Sequence, residues 1–228
     1  MIGILGAMDI ELEALLADME NKEATQISGF TFFQGRLAER EVVIAKCGIG
    51  KVAAALCAQA MILHYRPTLL IHTGVAGTLT AALSVTDVAV GTEALQHDMD
   101  TSPLGDPVGL ISGINKIYFE ADKKAADLFL KIAKEDGINA IGGRIASGDQ
   151  FIASAEQKAR IVESFGAIAC EMESGAVAHA AYLNETPFVI LRAISDSADG
   201  SSHMDYPTFL PLAAERSYQM VKKFLEKY

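Results

Sequence analysis

Acidic side chains stand beside small or apolar residues at several places where an apolar run gives way to a helical pattern, and reactive chemistry is expected there. Gly6-Ala7-Met8-Asp9-Ile10-Glu11 follows a short apolar run. Its small residues let the backbone come close to a ligand, and Glu11 falls in the first turn of a helix, where the macrodipole also favours a carboxylate. In Glu171-Met172-Glu173, strand alternation places both glutamates on one face and Met172 on the other. Carboxylates next to a core need donors, and a diol such as the 2′- and 3′-hydroxyls of a ribose supplies them.

Arg192-Ala193-Ile194-Ser195-Asp196 ends the most apolar run of the chain. A buried arginine requires an anion, and Glu11 or Glu173 is expected to provide it. Asp196 emerges where an α/β sheet places its ligands, beyond the carboxyl end of a strand. Ser147-Gly148-Asp149-Gln150-Phe151-Ile152 presents an aromatic and a branched aliphatic side chain suited to a flat base. Two separated carboxylates, a diol-binding glutamate and an aromatic shelf together suit cleavage of an N-ribosidic bond. Its transition state is oxocarbenium-like, so one carboxylic acid protonates the leaving base and another carboxylate deprotonates water. Asp196 is expected to donate and Glu11 to accept.

The elements that position these residues alternate strand with helix. The pattern predicts strands over 1–6, 30–37, 42–46, 68–73, 85–94, 138–146, 168–172 and 188–194. Helices are predicted over 9–19, 50–64, 123–135, 155–164, 174–183 and 207–227. Runs such as Leu69-Leu70-Ile71 and Phe188-Val189-Ile190-Leu191 suit strands buried on both faces, with helices on either side. The expected fold is α/β, a three-layer α/β/α sandwich. Its central sheet is mixed, because the early strands follow one another too closely for crossovers. The 228 residues show no linker, repeat or low-complexity tract and are expected to form one domain, 1–228.

Composition excludes several classes. Nineteen Lys and Arg against 29 Asp and Glu give a net charge of −10, unsuited to phosphate backbones or anionic membranes. No apolar stretch approaches the ~20 residues of a membrane span, and Met1-Ile2-Gly3-Ile4-Leu5 has no basic leader, so a cytoplasmic location is expected. Cys47, Cys57 and Cys170 are widely spaced and read as buried thiols in a reducing compartment. Gly48-Ile49-Gly50 has Ala53 where a dinucleotide fingerprint needs its third glycine, and Gly50-Lys51-Val52 lacks the Ser/Thr of a phosphate-binding loop. No metal or cofactor is expected; His97-Asp98-Met99-Asp100 reads as a solvated loop.

At these residues the chain resembles the 5′-methylthioadenosine/S-adenosylhomocysteine nucleosidases of the purine nucleoside phosphorylase superfamily. The matching segments are GILGAMDIE (3–11), GIGKVAAA (48–55), TGVAG (73–77), SGDQFI (147–152), CEMESGAVAH (170–179) and RAISDSAD (192–199), in the family's order. The resemblance implies hydrolysis of an adenine–ribose bond without metal or cofactor, in a homodimer. It implies that Glu11 activates water, that Asp196 is the acid acting on the base and that Ser195 holds Asp196. Glu173 and Met172 correspond to the residues that grip and pack under the ribose, and Phe151 and Ile152 to the adenine shelf. Met8, Ile49, Gly77, Arg192 and Tyr206 match further pocket positions, with Tyr206 standing where a phenylalanine is common. The loop Asp100–Leu104 corresponds to one that crosses the dimer interface to the 5′-alkylthio group, with Leu104 in place of an aromatic found in some members. A phosphorylase of the same fold, or a hydrolase acting on aminodeoxyfutalosine, is the alternative.

Overall fold

The computed structural model describes residues 1–196 and 202–228. In chain order the elements are β1 (Ile2–Gly6), α1 (Asp9–Ala17), β2 (Glu20–Ile27), β3 (Phe30–Leu37), β4 (Arg40–Lys46), α2 (Lys51–Tyr65), β5 (Leu69–Thr78) and β6 (Val88–Gln96). A short 3-10 turn at Ser102–Leu104 precedes β7 (Phe119–Glu120), α3 (Lys123–Glu135), β8 (Ala140–Ser147), α4 (Ala155–Phe165), β9 (Ala169–Glu171), α5 (Ser174–Leu183), β10 (Phe188–Asp196) and α6 (Ser202–Lys227). Residues 197–199 of the final matching segment lie outside the described residues.

The fold is mixed α/β. β1 pairs in parallel with β4 and β5, and β10 in parallel with β5, whereas β2, β3 and β4 form an antiparallel meander. Successive residues of the central strands enter opposite cores. Leu5 belongs to a cluster with Cys57, Met61 and Val177 of α2 and α5, and its neighbour Ile4 to one with Leu12, Phe129 and Phe224 of α1, α3 and α6. Helices therefore cover both faces, as continuous apolar strands require.

Where a three-layer sandwich was expected, part of the sheet closes on itself. β10 pairs with β5 on one side and antiparallel with β6 on the other, and β9 bridges β5 to β8, so β5-β10-β6-β8-β9 form a ring. Large twisted sheets tend to curl, and bulges sharpen the bend. Here the register shifts between Gly91 and Glu93 and between Ile194 and Asp196. The second shift stands at the end of β10, where it re-aims Ser195 and Asp196. β2 went unpredicted because every residue from Glu20 to Gln26 is exposed, so its sequence carries no alternation.

Candidate active site

Ala7 and Met8 follow β1, and Glu11 occupies the third position of α1. Its carboxyl group turns back over the start of its own helix. Oε2 accepts hydrogen bonds from Ala7 N (2.7 Å) and Met8 N (2.9 Å), and Oε1 from Val75 N of β5 (3.0 Å). The side chain is thus both a helix-start carboxylate and the link between β1 and β5. Burial is the larger influence on its proton affinity and raises it above the ordinary value of 4.5, against the pull of Arg192 and the three backbone donors. Gly74 leaves the space in which this carboxyl sits, because a Cβ there would collide with Glu11 Oε1 and Arg192 Nη1.

β9 stops at Glu171, so strand alternation does not extend through Met172, and Glu171, Met172 and Glu173 all border the same cavity. Their carboxyls diverge. Glu173 Oε1 accepts from Gly50 N at 2.8 Å, tying the start of α2 to the start of α5. Burial, reinforced by the negative charge of Glu171, pushes the Glu173 carboxyl up to about 7. Glu171 instead caps α5, accepting from Ser174 N at 2.9 Å, and it also takes a hydrogen bond from Ser147 Oγ.

Arg192 lies behind the cavity rather than on its wall, only 1% exposed. Its expected partners were Glu11 or Glu173. The direct ion pair is made with Glu171, Nη2 to Oε2 at 2.6 Å, and Ser174 Oγ (2.9 Å) and the ring of His72 (2.9 Å) complete the contacts of that nitrogen. Burial and the adjacent guanidinium hold His72 well below the ordinary imidazole value, so it stays uncharged. Glu11 and Glu173 feel Arg192 only through its field. Glu171, expected on one strand face with Glu173 and in need of a donor, finds that donor in a buried cation: three residues before a helix and opposite Arg192, it is a structural anion. Removing one member of a buried pair strands the other's charge, so Glu171→Gln is expected to cost about 3 kcal/mol. Urea unfolding measures it, and a loss below about 1 kcal/mol would show the pair to be dispensable.

Asp196 ends β10 and is 3% exposed. Ser195 Oγ donates to its Oδ1 at 3.0 Å. Gly77 lets the carboxyl pass close to β5, since a Cβ there would lie 2.7 Å from Oδ2. Lys158, on α4, places Nζ 3.5 Å from the same Oδ2. Nothing in the sequence marked Lys158 for this position, because a lysine on an amphipathic helix ordinarily faces solvent.

These groups meet at a cavity of about 270 Å³. Met8, Glu11, Ile49, Gly77, Phe151, Ile152, Met172, Glu173, Ser195, Asp196 and Tyr206 all line it, as do Val75, Gln150 and Cys170. Phe151 meets Tyr206 edge-on, with centroids 5.5 Å apart, and the Tyr206 hydroxyl donates to Met8 Sδ at 3.3 Å. Leu104 does not reach the cavity; it stands on the 3-10 turn, 84% exposed. Among the described residues no Lys, Arg or His lines the cavity, and no cluster of His, Cys, Asp or Glu is placed to hold a metal ion. No helix among them is long and apolar enough to cross a membrane. Cys47, Cys57 and Cys170 are buried free thiols.

Comparison with known proteins agrees with this architecture. The sequence model of the phosphorylase superfamily matches residues 1–226. The 5′-methylthioadenosine/S-adenosylhomocysteine nucleosidase of Glaesserella parasuis serovar 5 (strain SH0165) is 37% identical over 228 residues, covering 100% of this chain and 99% of that protein. A crystal structure of an Asp-to-Asn variant of the Helicobacter pylori nucleosidase, with 5′-methylthioadenosine in the active site, superposes with a TM-score of 0.95. It is 36% identical, over 100% of this chain and 98% of that one. The futalosine hydrolase of Helicobacter pylori strain 26695 superposes with a TM-score of 0.95 at 35% identity, over 100% of this chain and 97% of that one. With its carboxylates gathered at the ends of β1, β9 and β10 and this full-length likeness, the chain belongs to the phosphorylase superfamily and, within it, to the 5′-methylthioadenosine/S-adenosylhomocysteine nucleosidases.

Proposed function

We propose that this protein hydrolyses the N-ribosidic bond of 5′-methylthioadenosine and S-adenosylhomocysteine, releasing adenine and the corresponding thioribose for methionine salvage. The observation that carries this reading is one cavity with two separately held, buried carboxyl groups, Glu11 and Asp196, and no cationic side chain on its described wall. Phosphorolysis needs cationic donors for the phosphate, whereas hydrolysis needs an acid and a base. Glu11, raised in proton affinity, takes the proton of the attacking water. Asp196, oriented by Ser195, protonates the purine. The Helicobacter pylori variant that holds 5′-methylthioadenosine has lost one aspartate carboxylate, which supports an essential aspartate here.

Glu173 keeps one carboxyl oxygen on Gly50 N and offers the other to the ribose hydroxyls, with Met172 beneath the sugar. Phe151, Ile152 and Tyr206 form the purine shelf, and Met8, Ile49 and Gly77 complete the pocket. Arg192 acts from behind, fixing the field in which Glu11 and Glu173 titrate. We also infer a single domain, acting as a homodimer. Its support is the exposed apolar stripe of Val52, Leu56 and Leu63 on α2, continuous with Ile49 at the cavity mouth. In that dimer the 100–104 loop, led by Leu104, reaches the partner's site. The three free thiols support a cytoplasmic location.

Adenine release from 5′-methylthioadenosine is expected to proceed at the same rate with and without phosphate. Dependence on phosphate would overturn the hydrolase reading. The similarity to the futalosine hydrolase favours a second reading, turnover of aminodeoxyfutalosine by the same residues. Rates on both nucleosides, measured side by side, rank the two.

A further inference from the structure

The role assigned to Asp196 requires a proton once per turnover, yet the structure holds this carboxyl against a cation. Nζ of Lys158 lies 3.5 Å from Oδ2, and both side chains are 4% exposed, so the pair is shielded from bulk water. Oδ1 is occupied by the Ser195 hydroxyl at 3.0 Å. Gly77 leaves Oδ2 unobstructed on the β5 side, and Asp196 itself lines the cavity. The Lys158 ammonium therefore stands within reach of a carboxyl that borders the cavity. A lysine ammonium can lose a proton, as an arginine guanidinium in a protein cannot.

We propose that Lys158 supplies the proton that Asp196 passes to the departing purine, making it the positioning residue behind the acid. The inference rests on the reading of Asp196 as that acid. An N–H bond of Lys158 breaks as the Oδ2–H bond of Asp196 forms. That O–H bond then breaks as the purine takes the proton, and the electron pair of the ribosyl C–N bond leaves with the base. Water bonds to the sugar carbon through its oxygen and gives its proton to Glu11. The site ends with an uncharged Lys158 amine, an Asp196 carboxylate and a protonated Glu11. Exchange with solvent on product release returns one proton from Glu11 to Lys158.

The test compares Lys158→Arg and Lys158→Met with the native protein on two substrates. One is 5′-methylthioadenosine; the other is a 4-nitrophenyl riboside, whose phenolate departs without protonation. Both variants are expected to lose about 10²-fold in kcat on the nucleoside, the worth of assisted proton transfer, with KM within about threefold of native. On the aryl riboside both are expected to stay within about threefold of native. The idea is overturned if Lys158→Arg restores the nucleoside rate, since a fixed positive charge would then suffice. It is equally overturned if both substrates slow in parallel, which is what a supporting role in packing produces. Thermal melting of each variant accompanies the assays, and the charge-conserving arginine carries the comparison should the methionine variant not fold. Failure of the native protein to release adenine from any adenine nucleoside overturns instead the reading beneath, before any variant is made.

Discussion

Asp196→Asn is expected to lower kcat for 5′-methylthioadenosine by about 10³-fold while KM changes by less than about threefold, the pattern of an interaction made only in the transition state. Asparagine matches aspartate in shape and carries no acidic proton. Its carbonyl oxygen can accept from Ser195 Oγ as Oδ1 does, but its amide nitrogen then faces the Lys158 ammonium, donor against donor. Some loss of stability is therefore expected beside the kinetic one, and a melting curve separates the two. Adenine release followed by absorbance over a substrate series measures both kinetic constants. Turnover within tenfold of native would remove Asp196 from the acid's role. A matching rise in KM would say that the carboxylate binds the base in ground and transition states alike.

Much of this site was legible because its parts lie at strand ends, where apolar runs of fixed length give way to polar residues. Phe188–Ile194 marks a buried strand by composition alone, so Ser195 and Asp196 follow as the residues that leave it. Glu11 was legible from its small neighbours and its place in the first helical turn. What stayed hidden depends on residues far apart in the chain. Lys158 and Asp196 meet only because α4 packs on β8 and the lysine side chain reaches from there to the end of β10, whereas local pattern on α4 assigns a lysine to solvent. Arg192 announced its need for an anion and pointed to Glu11 or Glu173, leaving out Glu171, the third glutamate in its field. Only the bend at Glu171, which ends β9 and opens α5, decides which of them comes within 2.6 Å. Closure of the sheet escaped for a similar reason. It rests on the three-residue β9 and on register shifts, neither of which leaves a periodic trace.

The grouping of acids around Arg192 has a consequence for Glu11. Glu11, Glu171 and Glu173 share one guanidinium, and Glu171 holds the direct contact. The other two are left with burial as their dominant influence, and both bind protons more tightly than free glutamate. For Glu173 the midpoint rises to about 7, partly through the negative charge of Glu171. A base that is buried yet only partly neutralised is a stronger proton acceptor than a solvated carboxylate, which suits the water-activating step.

Glu11→Gln is accordingly expected to lower kcat/KM by about 10³-fold, within the range for removing a general base. The change also touches the fold, because both carboxyl oxygens accept from backbone: Ala7 and Met8 at Oε2, Val75 at Oε1. A glutamine can satisfy one side only, and its NH₂ group then opposes an N–H, at a cost of about 1–3 kcal/mol. Because the native carboxyl is raised above 4.5, kcat/KM of the native protein should fall as pH drops through a midpoint above that value, where Glu11 takes up its proton. Glu173, titrating at about 7, contributes to the same limb through weaker acceptance of the ribose hydroxyls once protonated. In the variant only the Glu173 limb should remain, on a rate already reduced. A native limb at the ordinary carboxylate value, or a glutamine variant with native turnover, would place the base on a solvated group outside this cavity. The three backbone donors around Glu11 would then serve the link between β1 and β5 alone.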